Sequence, residues 1–482
     1  MTLAILRELR AAVGDRAFIG SPEELRTYEC DALTNFRVMP GAVVLPESTE
    51  QVQAVLRICH RERIPFVARG SGTGLSGGAL PIEGGVVISL ARMNRILEID
   101  LPNARAVVEP GVINLDITAR VAHAGYFYAP DPSSQSVCTI GGNVAENSGG
   151  AHCLKYGFTT THVLALEVVL PDGTLAHFGK KTLDAPGYDF CGVFVGSEGT
   201  LGIATKITLR IVKRPECVKT LLAAFNSTSE AGAAVSGIIA AGMLPAAIEM
   251  MDNLSIQAAE AAVHANYPDC GGLLLVELDG PEAEVKALME HVDQICRSNG
   301  AWEVRLAHTE TERMLVWKGR KAAFAAAGRI SPNYIVQDGV IPRTALPEVM
   351  TEIARMGAEA GLRIANVFHA GDGNLHPLVM YDRRIPGQEK LAEELSSRIL
   401  ELCIAKGGSI TGEHGVGEEK KHMMAKMFAE PDLETMQRVR CAFDPFLVSN
   451  PTKVFPRPRL CGDKPGEYVA HPLETAGVAE RY

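Results

Sequence analysis

The pattern of apolar and polar positions changes once along the chain, near residue 214. Leu3, Leu6 and Leu9 recur at helical spacing, which predicts an opening helix. From about residue 42, short β-rich runs follow, including AVVLPES, PFVARG, GGVVISL and GIATKITLRIV. A helix is predicted between the first two runs, TEQVQAVLRICHRERI, with Thr49 as its cap. These elements predict one α+β domain over residues 1–214.

Beyond residue 214, alanine-rich helical stretches alternate with apolar strands. STSEAGAAVSGIIAAG and PEAEVKALMEHVDQIC are typical of helices, whereas LLLVELDG and NVFHAGDGNLHPLVMY are typical of strands. This order predicts a second domain over 215–425, in which helices pack on an antiparallel sheet. The helical stretch within 426–457 is expected to return to the first domain, and 458–482 is expected to be an irregular tail. The predicted fold class is therefore two-domain α+β.

Composition and charge narrow the class of protein. Apolar residues make up 46% and charged residues 22% of the 482 residues, which is typical of a globular protein. The net charge of -10 argues against nucleic acid, which selects basic surfaces. We find neither a signal-peptide pattern nor an apolar stretch long enough to cross a bilayer, so a cytoplasmic protein is expected.

The eleven cysteines are scattered, and no two are close enough to form a CxxC pair. This spacing argues against a zinc ribbon, a thioredoxin-like site or an iron–sulfur cluster in this chain. An odd number without a disulfide framework predicts reduced thiols.

Three glycine-rich loops are the first candidate for a binding site. They are RGSGTGLSGG at 69–78, TIGGNVAENSGG at 139–150, preceded by DPSSQ, and GSEGTLG at 196–202. Glycine lets successive backbone N–H groups turn toward one anion, although a single such loop is also typical of a structural turn. No Gly-Lys-Ser/Thr follows, which excludes a P-loop. Three loops flanked by Ser, Thr and Asn predict one long ligand, such as a dinucleotide.

The order, spacing and content of these loops resemble the FAD-binding domain of the vanillyl-alcohol oxidase and p-cresol methylhydroxylase superfamily, over residues of about 40–215. The resemblance implies FAD, with its pyrophosphate at the first loop and the other two loops along the flavin and adenosine. The residues that it implies for FAD binding are Arg69, Gly70, Ser71, Gly72, Thr73, Gly74, Ser76, Pro132, Ser133, Thr139, Gly141, Gly142, Asn143, Ser148, Gly149, Gly150, Glu198, Gly199 and Ile203.

One departure from the superfamily concerns the attachment of the flavin. Some members bind it covalently through a histidine late in the first loop, where this chain has Thr73. Noncovalent FAD is therefore expected. His152 follows the second loop, but as a single histidine it is expected to be a packed or surface imidazole.

A second candidate site is the segment ANVFHAGDGNLHPLVM at 365–380. Asp372-Gly373 predicts a two-residue type I′ turn, which would place His369 opposite His376 with Cβ atoms about 5 Å apart. Two imidazoles so placed either stack on the sheet or share a metal. Glu413, in the glycine-bracketed GSITGEHGVG at 408–417, offers a third ligand. Two histidines and one carboxylate suit zinc, manganese or iron.

These segments, with FDP and NPTK at 443–453 and VWKGRKAAFAAAGRISPNYIVQDGVIPR, resemble the C-terminal half of FAD-linked D-2-hydroxy-acid dehydrogenases, in particular the glycolate oxidase branch. The resemblance implies a divalent metal at His369, His376 and Glu413, with His414 as the base and Asn450 near the flavin. The expected reaction is oxidation of a small 2-hydroxy acid, glycolate to glyoxylate, with hydride transfer to FAD.

The sequence leaves alternatives open for the residues that would bind the substrate. Arg320 either anchors the substrate carboxylate or belongs to a solvated face with Arg313, Lys318 and Lys321. Asp338 is the only charge between Arg329 and Arg343, which favours a monocarboxylate over a dicarboxylate. The alternative functions are a D-lactate or D-2-hydroxyglutarate dehydrogenase, a catalytically silent FAD-binding assembly subunit and a metal-dependent hydrolase.

The resemblance also predicts partners. Larger single-chain relatives carry a cysteine-rich iron–sulfur module, which this sequence lacks, so electrons would pass to oxygen, a soluble acceptor or another subunit. The glycolate oxidase branch favours separate partners, a second FAD-domain subunit and an iron–sulfur subunit. Any association with a membrane is expected through those subunits.

Overall fold

A computed structural model describes residues 1–182 and 186–456 of the chain. The tail predicted at 458–482 lies outside the described residues. Across the described ranges, none of the helices combines the length and the apolar character that a membrane span requires.

The N-terminal part contains two sheets and a short ribbon. The first sheet has four strands, of which the last three in spatial order are parallel to one another. In spatial order they are Phe18–Ile19, Ala42–Val44, Val86–Ser89 and Phe66–Arg69. The second sheet has five antiparallel strands, in the order Ile96–Asp100, Arg105–Val108, Ile203–Arg210, Val163–Val169 and Leu175–Gly179. The ribbon pairs Tyr126–Phe127 with Val212–Lys213.

Short helices connect these strands and cover the two sheets. The α-helices are Leu3–Val13, Pro22–Leu25, Thr49–Glu62, Asn114–Val121, Ile140–Glu146, Cys153–Tyr156 and Phe190–Phe194, with single 3-10 turns at Asp15–Ala17, Arg26–Tyr28, Ala122–Ala124 and Thr159–Thr161. The prediction that Thr49 caps its helix is wrong by one residue. Ser48 is the cap, because its side chain accepts the N–H of Gln51, and Thr49 begins the helix.

The C-terminal part is built on one antiparallel sheet of seven strands. In spatial order they are Glu303–Leu306, Cys217–Phe225, Gly272–Gly280, Ala247–Asp252, Ile364–His369, Pro377–Tyr381 and Asn333–Val336. Helices cover both faces, which explains why the central strands are continuous apolar runs. Leu221 and Ala223 pack into the core on one face, and Leu222 and Ala224 into the core on the other.

The helices of this part divide between the two faces. Thr228–Ala240, Glu282–Ser298, Leu346–Ala360 and Gln388–Ala405 contribute to one core, and Asn253–Val263 and Glu310–Ala327 to the other. The remaining helices are Met424–Met427 and Glu430–Phe443, with 3-10 turns at Arg343–Ala345 and Lys421–Met423.

The end of the described chain packs against the N-terminal part. Val448 is buried in the core of the four-stranded sheet, and Ser449 pairs with Phe66. Asn450 N–H donates to the Phe66 carbonyl at 2.8 Å. These contacts support the C-terminal return after residue 425 that we propose.

Nine cysteines in the described part of the chain are free. Cys441 is disulfide-bonded, so the prediction of reduced thiols throughout is wrong at that position. Cys461 lies outside the described residues.

Candidate active site and cofactor cavity

A cavity of about 580 Å³ lies between the N-terminal loops and the C-terminal sheet. On one side are the three glycine loops and residues 32–35. On the other side are the end of helix Glu310–Ala327 and strand Asn333–Val336, with Tyr381, Glu413 and His414. Residues of all three glycine loops and of the GEHG turn (residues 412–415) therefore line one cavity.

Most of the residues predicted to bind FAD line this cavity. They are Gly70, Ser71, Gly72, Thr73, Gly74, Pro132, Ser133, Thr139, Gly142, Asn143, Ser148, Glu198 and Gly199. The other predicted residues are not part of the described lining: Arg69, Ser76, Gly141, Gly149, Gly150, Ile203 and Asn450.

Several of these latter residues support the loops from behind. Arg69 donates to the Cys30 carbonyl at 2.9 Å, and Ile203 is buried in the core. Asn450 donates through Nδ2 to the carbonyls of Gly78 and Glu198, at 2.8 and 2.6 Å. Asn450 thus holds the first loop to the third.

Two features of the loops fit a polar ligand. Thr139 Oγ1 and Asn143 Nδ2 are buried without a hydrogen-bond partner among the described residues, although both residues line the cavity. The loops also pack closely, because a Cβ atom on Gly70 would lie 2.1 Å from Thr139 Oγ1. The second loop reaches the GEHG turn, since a Cβ atom on Gly149 would lie 2.8 Å from Glu413 Oε2.

The predicted register of the histidine hairpin is wrong by two residues. His369 pairs with Asn374, not with His376, and the loop between the strands has four residues. Gly373 has a positive φ of 82°, but Asp372 does not, so the type I′ turn does not form. Side chains alternate between the faces of a sheet, so an even shift leaves both histidines on the same face. Their ring centroids lie 5.2 Å apart.

His369, His376 and Glu413 meet at one point despite this shift. His369 Nε2 lies 3.3 Å from Glu413 Oε1, and His376 Nε2 lies 3.2 Å from the same oxygen. One donor atom from each residue falls within 4.8 Å of the others, which is a spacing that suits a metal ion. Asp338, His376 and His414 form a second such group.

Buried partners fix the outer nitrogen of each imidazole. His369 Nδ1 lies 2.8 Å from Glu249 Oε1, and His376 Nδ1 lies 3.2 Å from the Gln337 carbonyl. Each ring therefore presents Nε2 toward Glu413, as in metal sites where a carboxylate or carbonyl orients the ligand. Burial lowers the pKa of His369, but the Glu249 and Glu413 carboxylates raise it well above its usual value.

Arg320 is buried behind this group, so the alternative of a solvated face is wrong. Its exposure is 2%, and its Nη2 forms an ion pair with Glu249 Oε2 at 2.5 Å. Arg320 Nε is buried with no hydrogen-bond partner in the described part of the chain. Arg320 is not in the described lining of the cavity, but the ring of Phe324, which is, lies 5.8 Å from its guanidinium carbon.

Asp338 holds the GEHG turn in place. Its carboxylate accepts the backbone N–H groups of Gly412, Glu413 and His414, at 3.0, 3.2 and 2.8 Å. Thr411 Oγ1 also donates to it. Burial raises the pKa of Asp338, but the charges of His414, Lys420 and His376 lower it to about 2. The carboxylate therefore stays ionised as the acceptor of this turn.

His414 lies beside the donor group, which is the set His369, His376 and Glu413, and it lines the cavity. Its ring stacks on that of His376 at 5.0 Å, and its Nε2 is 4.0 Å from Glu413 Oε1. Nδ1 is buried without a hydrogen-bond partner among the described residues. Burial lowers the pKa of His414 to about 4, so the ring is neutral near pH 7.

His152 joins the two parts of the molecule. Its Nδ1 lies 2.8 Å from Asp131 Oδ2, in the loop before the second glycine cluster, and its Nε2 lies 3.1 Å from Glu277 Oε1. Its ring also packs against Trp317, with centroids 5.5 Å apart. The expectation of a packed imidazole holds, but the residue is also part of an ionic contact between strand Gly272–Gly280 and a cavity loop.

Sequence reasoning missed several residues of the site. Glu249 is a single charge within the apolar run AAIEMM, and that pattern is the signal that could have identified it. Phe324, Tyr334 and Val336 lie in a segment already singled out by its resemblance. Asn35 carried no such signal, because only the tertiary fold brings it to the cavity.

Comparison with known proteins gives two matches to family profiles. Residues 40–179 match the FAD binding domain family, and residues 214–454 match the family of FAD linked oxidases, C-terminal domain.

Curated relatives cover nearly the whole chain. The chain is 50% identical to glycolate oxidase subunit GlcD of Escherichia coli (strain K12), over 97% of this chain and 94% of that protein. It is 40% identical to glycolate oxidase subunit GlcD of Bacillus subtilis (strain 168), over 94% and 97%. It is 32% identical to D-lactate dehydrogenase of Anaerostipes hadrus, over 87% and 90%.

Solved structures share the fold at low identity. 4-Ethylphenol oxidase from Gulosibacter chungangensis superposes with a TM-score of 0.78 at 19% identity, over 94% of this chain and 96% of that chain. p-Cresol methylhydroxylase superposes with a TM-score of 0.77 at 18% identity, over 93% and 95%. The predicted two-domain α+β fold class is confirmed by this likeness.

Proposed function

The chain belongs to the FAD-linked oxidase family, and from that premise we propose that it oxidises glycolate to glyoxylate with bound FAD. The family resemblance predicted from the glycine loops and the histidine segment is thereby confirmed. One observation carries the choice of reaction: Glu413 and His414 line the same cavity as the three glycine loops. A 2-hydroxy acid in that cavity would meet both the flavin site and a general base.

The glycine loops are proposed to hold FAD. When bound, FAD supplies the acceptor for the hydride that leaves the hydroxyl-bearing carbon. The unpartnered Thr139 Oγ1 and Asn143 Nδ2 support this placement, because both can bond to a polar cofactor in the cavity. Thr73 lines the cavity where some members of the superfamily carry a flavin-linked histidine, so we propose that FAD is held noncovalently.

The donor group is proposed to hold one divalent metal ion, zinc, manganese or iron. When bound, the ion supplies a Lewis acid beside the substrate hydroxyl. His369 and His376 offer Nε2, and Glu413 offers a carboxylate oxygen, in the geometry described above. The outer contacts to Glu249 and the Gln337 carbonyl keep the two rings oriented.

His414 is proposed to accept the hydroxyl proton. It lines the cavity next to Glu413, and its ring is held by stacking on His376. Arg320 is proposed to anchor the substrate carboxylate, because its Nε is buried without a partner among the described residues and can donate to a carboxylate oxygen. Together these residues would hold the substrate by both ends while the proton and hydride leave.

Electrons must then leave the flavin. We propose that they pass to partner subunits, a second FAD-domain subunit and an iron–sulfur subunit, in a cytoplasmic complex. Two of the relatives are named as subunits of glycolate oxidase, and the eleven cysteines of this chain include no CxxC pair. Any contact with a membrane would be made by the partners.

The rival functions fit the cavity less well. A metal-dependent hydrolase leaves no task for three glycine loops that line the same cavity as Glu413. A silent assembly subunit has no need for His369, His376, Glu413 and His414 in mutual contact.

Anaerobic flavin reduction with a panel of 2-hydroxy acids tests the proposal. Glycolate, both lactate enantiomers and D-2-hydroxyglutarate would be added to the FAD-loaded protein, while absorbance at roughly 450 nm is followed. We expect glycolate to bleach the flavin most efficiently and to yield glyoxylate. Bound flavin that no 2-hydroxy acid reduces would overturn the function, and faster reduction by D-2-hydroxyglutarate would overturn the choice of glycolate.

A further inference from the structure

The wall of the cavity opposite the glycine loops is mostly apolar. It consists of Lys321 and residues 324–325 from the end of helix Glu310–Ala327, and of residues 332–336 from strand Asn333–Val336 and the residue before it. Lys321 is the only lysine or arginine in the described lining. A second carboxylate on a substrate would therefore face little positive charge along this wall.

Phe324 lies where this wall approaches the reactive residues. Phe324 lines the cavity, and its ring makes a T-shaped contact with the ring of His376, with centroids 5.6 Å apart and planes at 70°. The same ring lies 5.8 Å from the guanidinium carbon of Arg320. Phe324 thus adjoins both the proposed carboxylate anchor and a proposed ligand of the metal.

Contacts with neighbouring elements restrict movement of the residues in this wall. Phe324 belongs to a long helix whose buried face packs in the core of the C-terminal sheet, and the Tyr334 hydroxyl donates to its carbonyl at 3.2 Å. Val336 ends a strand that pairs with Leu378, two residues after His376. Such packed interiors resist the rearrangement that a larger substrate would require.

We propose that Phe324, with Val336 on the same wall of the cavity, limits the substrate to 2-hydroxy monocarboxylates with a short side chain or none. This inference rests on the proposed function and specifies its substrate class. A substrate held between Arg320 and His376 directs whatever follows its hydroxyl-bearing carbon toward the Phe324 ring. Longer chains collide with the ring, and a distal carboxylate would be desolvated against apolar side chains.

Chain-length selectivity of two variants tests the proposal. The kcat/KM values of Phe324→Ala, Phe324→Leu and wild type would be measured with glycolate, lactate, 2-hydroxybutanoate and 2-hydroxypentanoate. One methylene in an apolar pocket is worth about 10- to 200-fold in discrimination. We expect Phe324→Ala to raise the ratio of 2-hydroxybutanoate to glycolate by at least about tenfold, and Phe324→Leu to raise it less.

Phe446→Ala is the matched control, because that phenylalanine is 39% exposed and outside the described lining of the cavity. It should leave the ratio unchanged. A ratio in Phe324→Ala within twofold of wild type would overturn the proposal. If Phe324→Ala fails to retain FAD, the milder Phe324→Leu decides, and an unchanged ratio there would also overturn it.

A binding series separates this inference from the proposed function. The flavin spectrum would be titrated with glyoxylate, pyruvate, 2-oxobutanoate and 2-oxopentanoate, which resemble the products. Wild type should bind them progressively more weakly, and Phe324→Ala should flatten the series. Failure of every hydroxy acid to reduce the flavin would refute the proposed function alone. A binding series that is the same in Phe324→Ala and wild type would refute the role of Phe324 in limiting substrate size.

Discussion

Glu249 is a fully buried carboxylate that joins two residues of the candidate site. One oxygen contacts His369 Nδ1 and the other forms an ion pair with Arg320. Its contact with Nδ1 fixes the orientation of the His369 imidazole, and its charge would make that ring a stronger ligand for the proposed metal. The side chain therefore acts on the proposed metal through His369 without being a ligand itself.

Glu249→Gln should weaken metal retention by about 10- to 100-fold, because the amide keeps the size of the side chain but removes its charge. The measurement is metal content after dialysis against a graded series of chelator concentrations. Glu303→Gln, on the edge strand Glu303–Leu306, is the control and should match wild type. Equal retention in Glu249→Gln and Glu303→Gln would refute the role of Glu249.

His414→Ala should bind FAD normally and lose flavin reduction. A positioned base contributes about 100- to 10,000-fold to rate, and His414 lines the cavity next to Glu413. Stopped-flow reduction by glycolate, FAD content and metal content would be measured on one preparation. If reduction stays within a few-fold of wild type, the assignment as base is wrong, and loss of metal would make His414 a ligand instead.

At the scale of single elements, the GEHG turn depends on one distant carboxylate. Asp338 accepts three consecutive backbone N–H groups of that turn, at residues 412–414. These bonds place Glu413 and His414 side by side at the cavity. The turn is therefore ordered by a residue on a different segment, in addition to its own glycines, of which Gly415 has a positive φ of 86°.

Asp338→Asn should lower the free energy of unfolding by about 1–3 kcal/mol, because the amide NH₂ replaces one acceptor with a donor that faces backbone N–H groups. The melting temperature would be compared with that of Asp15→Asn, whose side chain is 88% exposed. We expect a lower melting temperature in the first variant only. Equal melting temperatures would show that the turn does not depend on Asp338.

The histidine hairpin shows how far sequence can predict this site. The strands and the shared face of His369 and His376 follow from composition and the two-residue period. The register does not, because His369 also pairs with Glu249 on strand Ala247–Asp252, and such tertiary pairing overrides the local preference of Asp-Gly for a tight turn. The proposed metal site could still be predicted, because a register shift of two residues leaves His369 and His376 on the same face of the sheet.

At the scale of the whole molecule, the cavity depends on contacts between the two parts of the chain. His152 contacts Asp131 on one side and Glu277 on the other, and Glu277 also accepts from Trp317 Nε1 at 2.6 Å. Burial lowers the pKa of His152, but the two carboxylates raise it to about 10. The charged imidazole thus stabilises the docking of a cavity loop onto the C-terminal sheet.

His152→Gln should destabilise the protein in a pH-dependent way. The folded pKa is raised, so the stabilisation is complete below the unfolded pKa of about 6.5 and is lost as pH rises toward about 10. The expected loss near pH 6 is about 2 kcal/mol, reduced because the side chain is 22% exposed. Melting curves from pH 6 to 10 would show the gap to wild type closing, whereas exposed His123→Gln should show no gap. A gap that stays constant with pH would contradict the ionic role.

The fold class could be predicted because long apolar strands and glycine loops are local signals. The contacts made by Asn35, His152 and Glu249 could not, since each joins segments more than 100 residues apart in sequence. The local sequence pattern thus predicted the glycine loops and the histidine segment, whereas tertiary packing decided which further side chains surround the cavity.

We propose that the flavin, a metal and a base act together on glycolate in one cavity. The most direct test is an anaerobic single turnover of FAD-loaded protein, with absorbance and glyoxylate measured together. We predict one glyoxylate for each flavin reduced, and much slower reduction after chelation of the metal. Flavin that glycolate leaves oxidised, or that bleaches without forming glyoxylate, would contradict the account.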